Sequence, residues 1–190
     1  MNTQSTMAKN LLDLSIGISR PYQKRWQEMA KHSFTYSVIE EFIPIDGQTK
    51  KEIKKIKLDK YPLNYNNFYS HTGKEKLQNL ILMKLNTVFK KHGLKLVDCW
   101  IQKYMKNHYH DLHTHSSGDR KVKSFVWFIE GTEGSSPLCF YDVGYPLINT
   151  EQILKIKFMP GILLIFPGFL PHAVPLNKSN NRLIVSGNVI

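Results

Sequence analysis

Residues 94–115, LKLVDCWIQKYMKNHYHDLHTH, decide how the rest of the chain is interpreted. The first half is rich in β-branched and aromatic residues, which is typical of a β-strand. The second half contains His108, His110, His113 and His115, four of the eight histidines in the chain. Imidazole is a good ligand for iron, zinc, copper or nickel, and alternate residues of a strand point to the same face. We therefore predict that His113 and His115 bind one metal ion together, and that a distant histidine completes the set.

Downstream of this stretch, the sequence predicts a series of short strands. Turn segments rich in Gly, Pro, Ser and Asn separate the β-rich runs. Many short strands with a helical flank favour a sandwich or a barrel. The runs are KSFVWFI (123–129), LCFYDV (138–143), QILKIKF (152–158), GILLIF (161–166) and RLIVSGNVI (182–190).

Upstream, residues 74–92 predict the clearest helix, and Gly93 supplies its stop signal. Residues 22–32 predict an amphipathic helix, and residues 34–45 predict one or two short strands that end at Gly47. The lysine-rich residues 50–60 predict an exposed helix or edge segment, and residues 61–73 predict a connecting loop. The apolar face of the 74–92 helix comprises Leu77, Leu80, Ile81, Met83, Leu85, Val88 and Phe89.

Length and composition indicate one globular domain. The 190 residues are 42% hydrophobic and 12% aromatic, which suits a chain with a packed core. Cys99 and Cys139 are too few for a disulfide framework, so we expect two buried, reduced thiols. The first residues lack the apolar core of a secretory signal, and no apolar run approaches the roughly 18 residues of a membrane span. These features predict a cytoplasmic protein.

The formal charge of +11 is concentrated in the first part of the chain. Residues 1–110 contain 19 Lys and Arg against 9 Asp and Glu, whereas residues 111–190 contain 7 against 6. A basic surface attracts acidic partners, and nucleic acid is one of them, although none of the known nucleic-acid-binding modules is recognisable. The simpler interpretation is a solvated basic face without a specific partner. The six lysines of residues 50–60 motivate a second hypothesis, an acidic or peptide substrate.

The spacing of the chemically important residues resembles one known family. His113 and His115 are followed by MPGILLIFPGFLPHAVP (159–175), which contains His172, and Arg182 comes ten residues later. This order resembles the Fe(II)/2-oxoglutarate-dependent oxygenases, especially prolyl-hydroxylase-like members and a bacterial and phage subgroup. The resemblance covers roughly residues 74–190. It implies a double-stranded β-helix (jelly-roll) core with a supporting helix, in a single domain of residues 1–190 whose first 73 residues flank the core.

The resemblance also implies a hydroxylase mechanism and a set of site residues. Molecular oxygen and 2-oxoglutarate would be cosubstrates, and succinate and carbon dioxide would be released. Arg182 corresponds to the arginine that pairs with the far carboxylate of 2-oxoglutarate, and Tyr104 to a tyrosine that touches it. Some members have a serine two residues after the arginine, but that position is Ile184 here, so Ser186 is a looser match. The implied Fe(II) ligands are His113, His115 and His172.

One position departs from the family pattern. The usual motif is H-x-D, but none of the eight histidines is followed two residues later by Asp or Glu. His113-Thr114-His115 stands at the expected place, so the metal would have three neutral imidazole ligands. Asp111 or Asp119 would supply a carboxylate only from a shifted register, because neither stands two residues after His113, where the H-x-D motif has its carboxylate. We interpret His108 and His110 as loop or supporting groups.

Two other functions remain open from the sequence. The chain could be a cupin-like three-histidine metal protein, a dioxygenase or a sensor, that does not use 2-oxoglutarate. It could also be a catalytically silent jelly-roll module whose basic half binds an acidic partner. The substrate class of an oxygenase of this kind, whether a peptide, a protein or a small molecule, does not follow from the fold.

Overall fold

Two antiparallel sheets form the core of the protein. The computed structural model describes residues 37–60, 67–70, 73–115, 121–142 and 149–190. The predicted helix at 22–32, residues 34–36 and Asp119 lie outside the described residues. The strands are β1 (Ile39–Phe42), β2 (Asp59–Lys60), β3 (Phe68–Tyr69), β4 (Leu96–Tyr104), β5 (His110–His113), β6 (Lys123–Gly131), β7 (Leu138–Asp142), β8 (Asn149–Ile156), β9 (Ile162–Pro167), β10 (His172–Val174) and β11 (Arg182–Val189).

The larger sheet has seven strands in the order β1-β9-β6-β11-β4-β3-β2, and the smaller sheet has four in the order β5-β10-β7-β8. β11 lies at the centre of the larger sheet because it pairs along its whole length with both β4 and β6. In the smaller sheet, β10 lies between β5 and β7. The last strand of the chain therefore lies between two strands from the middle of the chain. Such long-range strand pairing is typical of antiparallel β-sandwiches and barrels.

Two helices in the described part of the chain cover the outer face of the larger sheet. Helix α1 (Gly47–Lys54) begins where Asp46 accepts a hydrogen bond from the Thr49 backbone N–H at 2.7 Å. Helix α2 (Glu75–Lys91) is followed, after His92, by Gly93, whose φ of 66° is the left-handed conformation that favours glycine. The apolar stripe of α2 contributes Leu77, Ile81, Leu85 and Phe89 to the core, all fully buried.

Alternate residues of the central strands point to opposite faces of the larger sheet. One set, including Ile101, Trp127 and Val185, packs beneath the helices. The other set, including Tyr104 and Phe128, packs against residues of the smaller sheet such as Phe140. The space between the two sheets therefore receives the side chains of every second residue in β4, β6 and β11. The candidate site lies there.

The predicted fold class, mainly β with a helical flank, is confirmed, as are the helix at 74–92 and the strands from residue 94 onward. Several details of the prediction are wrong. The described part of the predicted loop at 61–73 contains the short strand β3. Ile53 of the lysine-rich segment is buried, whereas Met83 of the predicted apolar face is 71% exposed. No helix in the described ranges is long and apolar enough to span a membrane.

Candidate metal centre

Three histidines converge in the space between the sheets. His113 on β5 and His172 on β10 are cross-strand partners, so their rings meet on one face. His115 follows β5, and its backbone N–H donates to the Gly168 carbonyl at 2.7 Å. One ring nitrogen from each histidine lies within 4.8 Å of the others, and the Nε2 atoms of His113 and His115 are 3.2 Å apart. The described residues thus offer a three-nitrogen site for a metal ion.

The orientation of two of these rings is set by backbone carbonyls. His113 Nδ1 lies 2.7 Å from the Asp111 carbonyl oxygen, and His172 Nδ1 lies 2.9 Å from the Leu170 carbonyl oxygen. A carbonyl oxygen only accepts, so each Nδ1 carries the proton and each Nε2 keeps its lone pair. This is the arrangement in which a histidine binds a metal through Nε2.

The third ring is held by side chains of the larger sheet. His115 Nδ1 lies 2.9 Å from Ser124 Oγ and 3.3 Å from Asn188 Oδ1. Ser124 Oγ donates to Asn188 Oδ1 at 3.1 Å, so it accepts from His115. Asn188 is fixed in turn because its Nδ2 donates to Asp98 Oδ1 at 2.9 Å. His115 therefore has the same tautomer as the other two, although it stands where the family pattern has a carboxylate.

Burial keeps the three imidazoles neutral. It lowers the pKa of His172 well below its ordinary value and the pKa of His115 to about 4, and neighbouring histidines act in the same direction. The pKa of His113 is also lowered by burial, although the Asp111 carbonyl and carboxylate oppose the shift. Neutral imidazole is the metal-binding form, so the site is ready to bind at neutral pH.

No carboxylate joins this group in the described part of the chain. Asp111 is exposed, and only its backbone carbonyl contacts His113. The shifted-register alternative through Asp111 is therefore not seen, and Asp119 lies outside the described residues. The three-histidine interpretation of the sequence agrees with this geometry.

A buried arginine lies on the same inner face. Arg182 is fully buried, and its Nε donates to the Ser136 carbonyl at 2.9 Å. The guanidinium carbon lies 4.6 Å from the centre of the Tyr104 ring and 5.2 Å from that of Phe158. Among the described residues, neither terminal nitrogen has a hydrogen-bond partner. Burial lowers the pKa of Arg182 to about 10, which leaves it charged at neutral pH.

Ring contacts and one hydrogen bond connect the arginine to the histidines. The Tyr104 hydroxyl lies 3.1 Å from His110 Nδ1, which the Gln102 Nε2 amide also approaches at 3.2 Å. An amide nitrogen only donates, so His110 Nδ1 is the acceptor and Nε2 carries the proton. The His110 ring stacks on His113 with centroids 4.0 Å apart and planes 7° from parallel. Burial lowers the pKa of His110 to about 2, so this ring is neutral.

The structure thus brings together the predicted ligands, and it places Tyr104 against Arg182. Ser186 is connected to this group through Gln102, because its hydroxyl donates to Gln102 Oε1 at 3.3 Å and the Gln102 amide nitrogen contacts His110. His110 contacts both Tyr104 and His113, in agreement with its interpretation as a supporting group. Trp100 is half-buried, and its ring centroid lies 5.4 Å from that of His115. Sequence reasoning missed several polar residues of the inner face, although their alternate spacing along β4 and β11 was a usable signal. They are Asp98, Gln102, Ser124 and Asn188, together with Asn67 before β3.

Comparisons with known proteins define the fold further. No protein-family profile matches the chain, and no curated protein matches it. Among solved structures, an oxidoreductase of the 2OG-Fe(II) oxygenase family from Burkholderia pseudomallei aligns with a TM-score of 0.61 at 8% identity, over 75% of this chain and 76% of its own. A Pseudomonas putida prolyl-4-hydroxylase aligns with a TM-score of 0.58 at 15% identity, over 86% and 95%. HygX from Streptomyces hygroscopicus, with nickel, 2-oxoglutarate and hygromycin B bound, aligns with a TM-score of 0.61 at 10% identity, over 90% and 87%. The chain therefore has the jelly-roll fold of the 2-oxoglutarate- and Fe(II)-dependent oxygenases, as its sequence led us to expect.

Proposed function

We propose that the protein is an Fe(II)- and 2-oxoglutarate-dependent dioxygenase, a hydroxylase that releases succinate and carbon dioxide. The observation that carries the proposal is the coexistence of two sites in one interior. Three ring nitrogens converge within 4.8 Å, and a fully buried arginine on the same face has two terminal nitrogens without partners among the described residues. A 2-oxo acid with a second carboxylate is a ligand that satisfies both sites at once.

The donor set fits iron. Imidazole nitrogen suits iron among other first-row metals, and three ligands leave coordination positions for a cosubstrate and oxygen. His113, His115 and His172 would hold the ion through Nε2, because each Nδ1 is already engaged. When bound, iron supplies the redox chemistry that couples oxidative decarboxylation of 2-oxoglutarate to oxidation of a substrate. With three neutral ligands the site has one more positive charge than the H-x-D arrangement, which favours an anionic cosubstrate.

The protein's own contribution is orientation and the exclusion of water. We assign the far carboxylate of 2-oxoglutarate to Arg182, whose planar guanidinium suits bidentate pairing. The Tyr104 ring lies against the guanidinium carbon at 4.6 Å, and we assign Tyr104 as a second contact of the same carboxylate. Ser186 acts through Gln102 rather than by direct contact. Phe140 and Phe166 lie against His172, with ring centroids 6.1 Å and 4.9 Å away. An aromatic wall of this kind keeps water from the reacting centre and strengthens the electrostatic interactions inside.

The substrate is a peptide, a protein or a small molecule in this proposal. The lysines of residues 50–60 motivated an acidic substrate, but α1 lies on the outer face of the larger sheet, opposite the histidines. Several of these lysines are paired locally, as Lys50 and Lys54 are with Glu130. We therefore expect the flank to contribute little to substrate binding. We also keep the single domain of residues 1–190 and the cytoplasmic location as predictions.

The direct test is turnover with both cosubstrates. Purified protein given Fe(II), 2-oxoglutarate and oxygen should form succinate, since slow uncoupled decarboxylation needs no primary substrate in an enzyme of this class. Omitting either iron or 2-oxoglutarate should abolish the product. Protein that neither binds 2-oxoglutarate in the presence of metal nor forms succinate contradicts the proposal.

A cupin-like metal protein is the second candidate, and the three-histidine donor set favours it. The two functions differ at Arg182. A three-histidine protein that does not use 2-oxoglutarate keeps its activity in an Arg182→Met variant, whereas the oxygenase loses cosubstrate affinity. Metal analysis distinguishes a silent interaction module from either metal protein. If the protein were such a module, the purified wild-type protein would contain no iron and would bind none when iron is added.

A further inference from the structure

We propose that Asn67 is a third contact for the far carboxylate of the bound 2-oxo acid, beside Arg182 and Tyr104, and that it helps to select a dicarboxylate. The inference rests on the proposed function, since it concerns the same pocket. Asn67 is contributed by the segment before β3, outside the stretch that the resemblance covers. Its assignment comes from its position and its hydrogen-bonding state.

Strand register puts Asn67 in one row with Tyr104 and Arg182. Arg182 is the cross-strand partner of Tyr104 on one side of β4. On the other side, Phe68 pairs with Lys103 and Tyr69 with Gln102, so the register continues to place Asn67 opposite Tyr104. Directly opposed residues of an antiparallel pair have their side chains on the same face. Asn67 and Arg182 thus flank Tyr104 from the two neighbouring strands, on the inner face.

The side chain of Asn67 reaches the tyrosine hydroxyl region. Burial raises the pKa of Tyr104 to about 12, while Arg182 and Asn67, both beside its hydroxyl, act in the opposite direction. Asn67 is 0% exposed, as are the other two residues of the row. Three polar groups are therefore gathered in a region without solvent access.

The amide of Asn67 lacks partners in good hydrogen-bond geometry. Apart from an approach to the Tyr104 hydroxyl that falls short of good hydrogen-bond geometry, neither Nδ2 nor Oδ1 has a partner within the described residues, and the same holds for Nη1 and Nη2 of Arg182. A buried polar group without a partner destabilises the folded state, so folded proteins rarely keep one. Two such side chains, one on each side of Tyr104, indicate that a single ligand contacts both of them. An anion with two oxygens can accept from the guanidinium and from the amide nitrogen together.

A second buried asparagine shows what a structural role looks like. Asn177 is also 0% exposed, but its Nδ2 donates to the carbonyl oxygens of Tyr104, Met105 and Ser179 at 2.9–3.2 Å. Its Oδ1 accepts from the Ser136 backbone N–H at 3.0 Å. Both polar atoms of Asn177 are engaged in hydrogen bonds with the protein, whereas neither polar atom of Asn67 has a partner in good geometry among the described residues. The two residues therefore make a matched pair for mutation.

The test measures ligand binding and stability separately, on the full chain. Binding of 2-oxoglutarate is titrated calorimetrically in the absence of oxygen, with saturating Ni²⁺ in place of iron, for wild type, Asn67→Leu, Asn67→Asp and Arg182→Gln. We expect Asn67→Leu to weaken 2-oxoglutarate binding on the order of tenfold, as the loss of a hydrogen bond to a charged group does. Its affinity for Ni²⁺ alone should not change. Its preference for 2-oxoglutarate over 2-oxobutyrate, which lacks the far carboxylate, should fall.

Two further results separate a binding role from a structural one. Ligand-free Asn67→Leu should melt at or above the wild-type temperature, because the substitution removes an unsatisfied buried amide, whereas Asn177→Ala should melt lower. Asn67→Asp should lose 2-oxoglutarate binding almost completely, because its carboxylate occupies the guanidinium instead.

The outcomes distinguish the inference from the proposed function. Unchanged 2-oxoglutarate affinity in Asn67→Leu, with weakened affinity in Arg182→Gln, overturns the inference and leaves the proposed function standing. Failure of Asn67→Leu to fold also overturns it, since the amide would then be structural. A wild-type protein that binds Ni²⁺ but no 2-oxoglutarate overturns both.

Discussion

The two ends of the interior differ in how their polar groups are satisfied. At the metal end, every Nδ1 of the three converging histidines has an oxygen partner from the protein, at 2.7–3.3 Å. At the other end, Arg182 and Asn67 keep nitrogen atoms that have no such partner among the described residues. The protein thus completes the support of one site and leaves polar atoms of the other without partners among the described residues.

The two ends therefore gain their specificity in different ways. The metal end is organised before the ion arrives, because the hydrogen bonds fix the tautomer and direction of each ring. The arginine end carries an uncompensated buried charge, which favours an anionic ligand and makes the ligand-free protein less stable than it could be. Tyr104 and His110 connect the ends through one hydrogen bond of 3.1 Å. The following predictions test the comparison, beginning with the largest effect.

Removal of a metal ligand should have the largest effect. His172→Ala deletes one of three nitrogens from a site that needs all of them, so we expect loss of tight metal binding and of turnover. Metal content after dialysis, with succinate formation, measures both. His92→Ala is a matched control, because this histidine lies on the outer side against Glu41, and its metal content should equal that of wild type. Equal iron content in His172→Ala would contradict the assignment.

Arg182→Met should separate the two ends next. We expect on the order of a hundredfold weaker 2-oxoglutarate binding, because a buried charge pair is lost, with little change in metal affinity. Without ligand, the variant should be more stable than wild type by about 1–4 kcal/mol, since a hydrophobic residue replaces an unpaired buried cation. Calorimetric titration and denaturant unfolding measure the two quantities. A strongly destabilised ligand-free variant would mean that the arginine is paired in the protein itself.

The support of His115 should matter less than the ligand itself. Asn188→Ala removes the amide that contacts both His115 and Asp98, and we expect metal affinity to fall roughly 10- to 100-fold, as for other outer partners of metal ligands. Cosubstrate affinity at saturating metal should be nearly unchanged. Competition with a chelator gives the metal affinity. An unaltered value would show that His115 does not depend on this network.

Acidification should destabilise the metal-free protein. The pKa values of His113, His115, His172 and His110 are all lowered in the folded state, so the unfolded chain binds more protons below its ordinary histidine pKa of about 6.5. Stability is therefore full above that pH and is lost as the pH falls through it. His110 and His115, whose pKa values fall to about 2 and about 4, should each cost about 0.8 kcal/mol of stability between pH 7.5 and pH 6. Urea unfolding at several pH values measures the slope, which should decrease in His110→Phe. A flat profile across this range would contradict the buried, neutral state of the rings.

The smallest effect is expected at the lysine-rich flank. Lys54→Gln breaks an ion pair with Glu130 on the outer face, where exposed pairs contribute about 0–1 kcal/mol. Lys51→Gln removes an exposed lysine of the same helix and serves as its control. Neither variant should change metal or 2-oxoglutarate affinity. A large loss of activity in either one would revive the prediction that the basic flank binds an acidic substrate.

Much of this architecture was predictable from sequence because it depends on local patterns. The period of three to four residues identified α2, and runs of β-branched and aromatic residues between turn segments identified β4, β6, β9 and β11. The errors occur where residue type alone does not determine burial or secondary structure. Met83 is apolar but lies on the solvent side of α2, and β3 is only two residues long, too short for any period.

The candidate site was predictable only in part. His113 and His115 share a face by spacing alone, whereas His172 and Arg182 entered through family resemblance. Gln102 and Asn188 lie at alternate positions of β4 and β11, but that spacing alone does not say which face of the sheet carries the site, and nothing near Asn67 in the chain indicates a role. Their importance appears only when strands that are distant in sequence lie side by side.

The sequence by itself determined which elements form and which residue types are available, because hydrophobic periodicity and imidazole chemistry are properties of short stretches. Only the tertiary structure decided how those residues are used. Strand register put Asn188 and Ser124 against His115, with Nδ1–oxygen distances of 3.3 and 2.9 Å, and so chose the tautomer of the histidine that replaces a carboxylate. Burial made Arg182 a charge without a partner among the described residues. Both effects arise from non-local pairing, which no local pattern encodes.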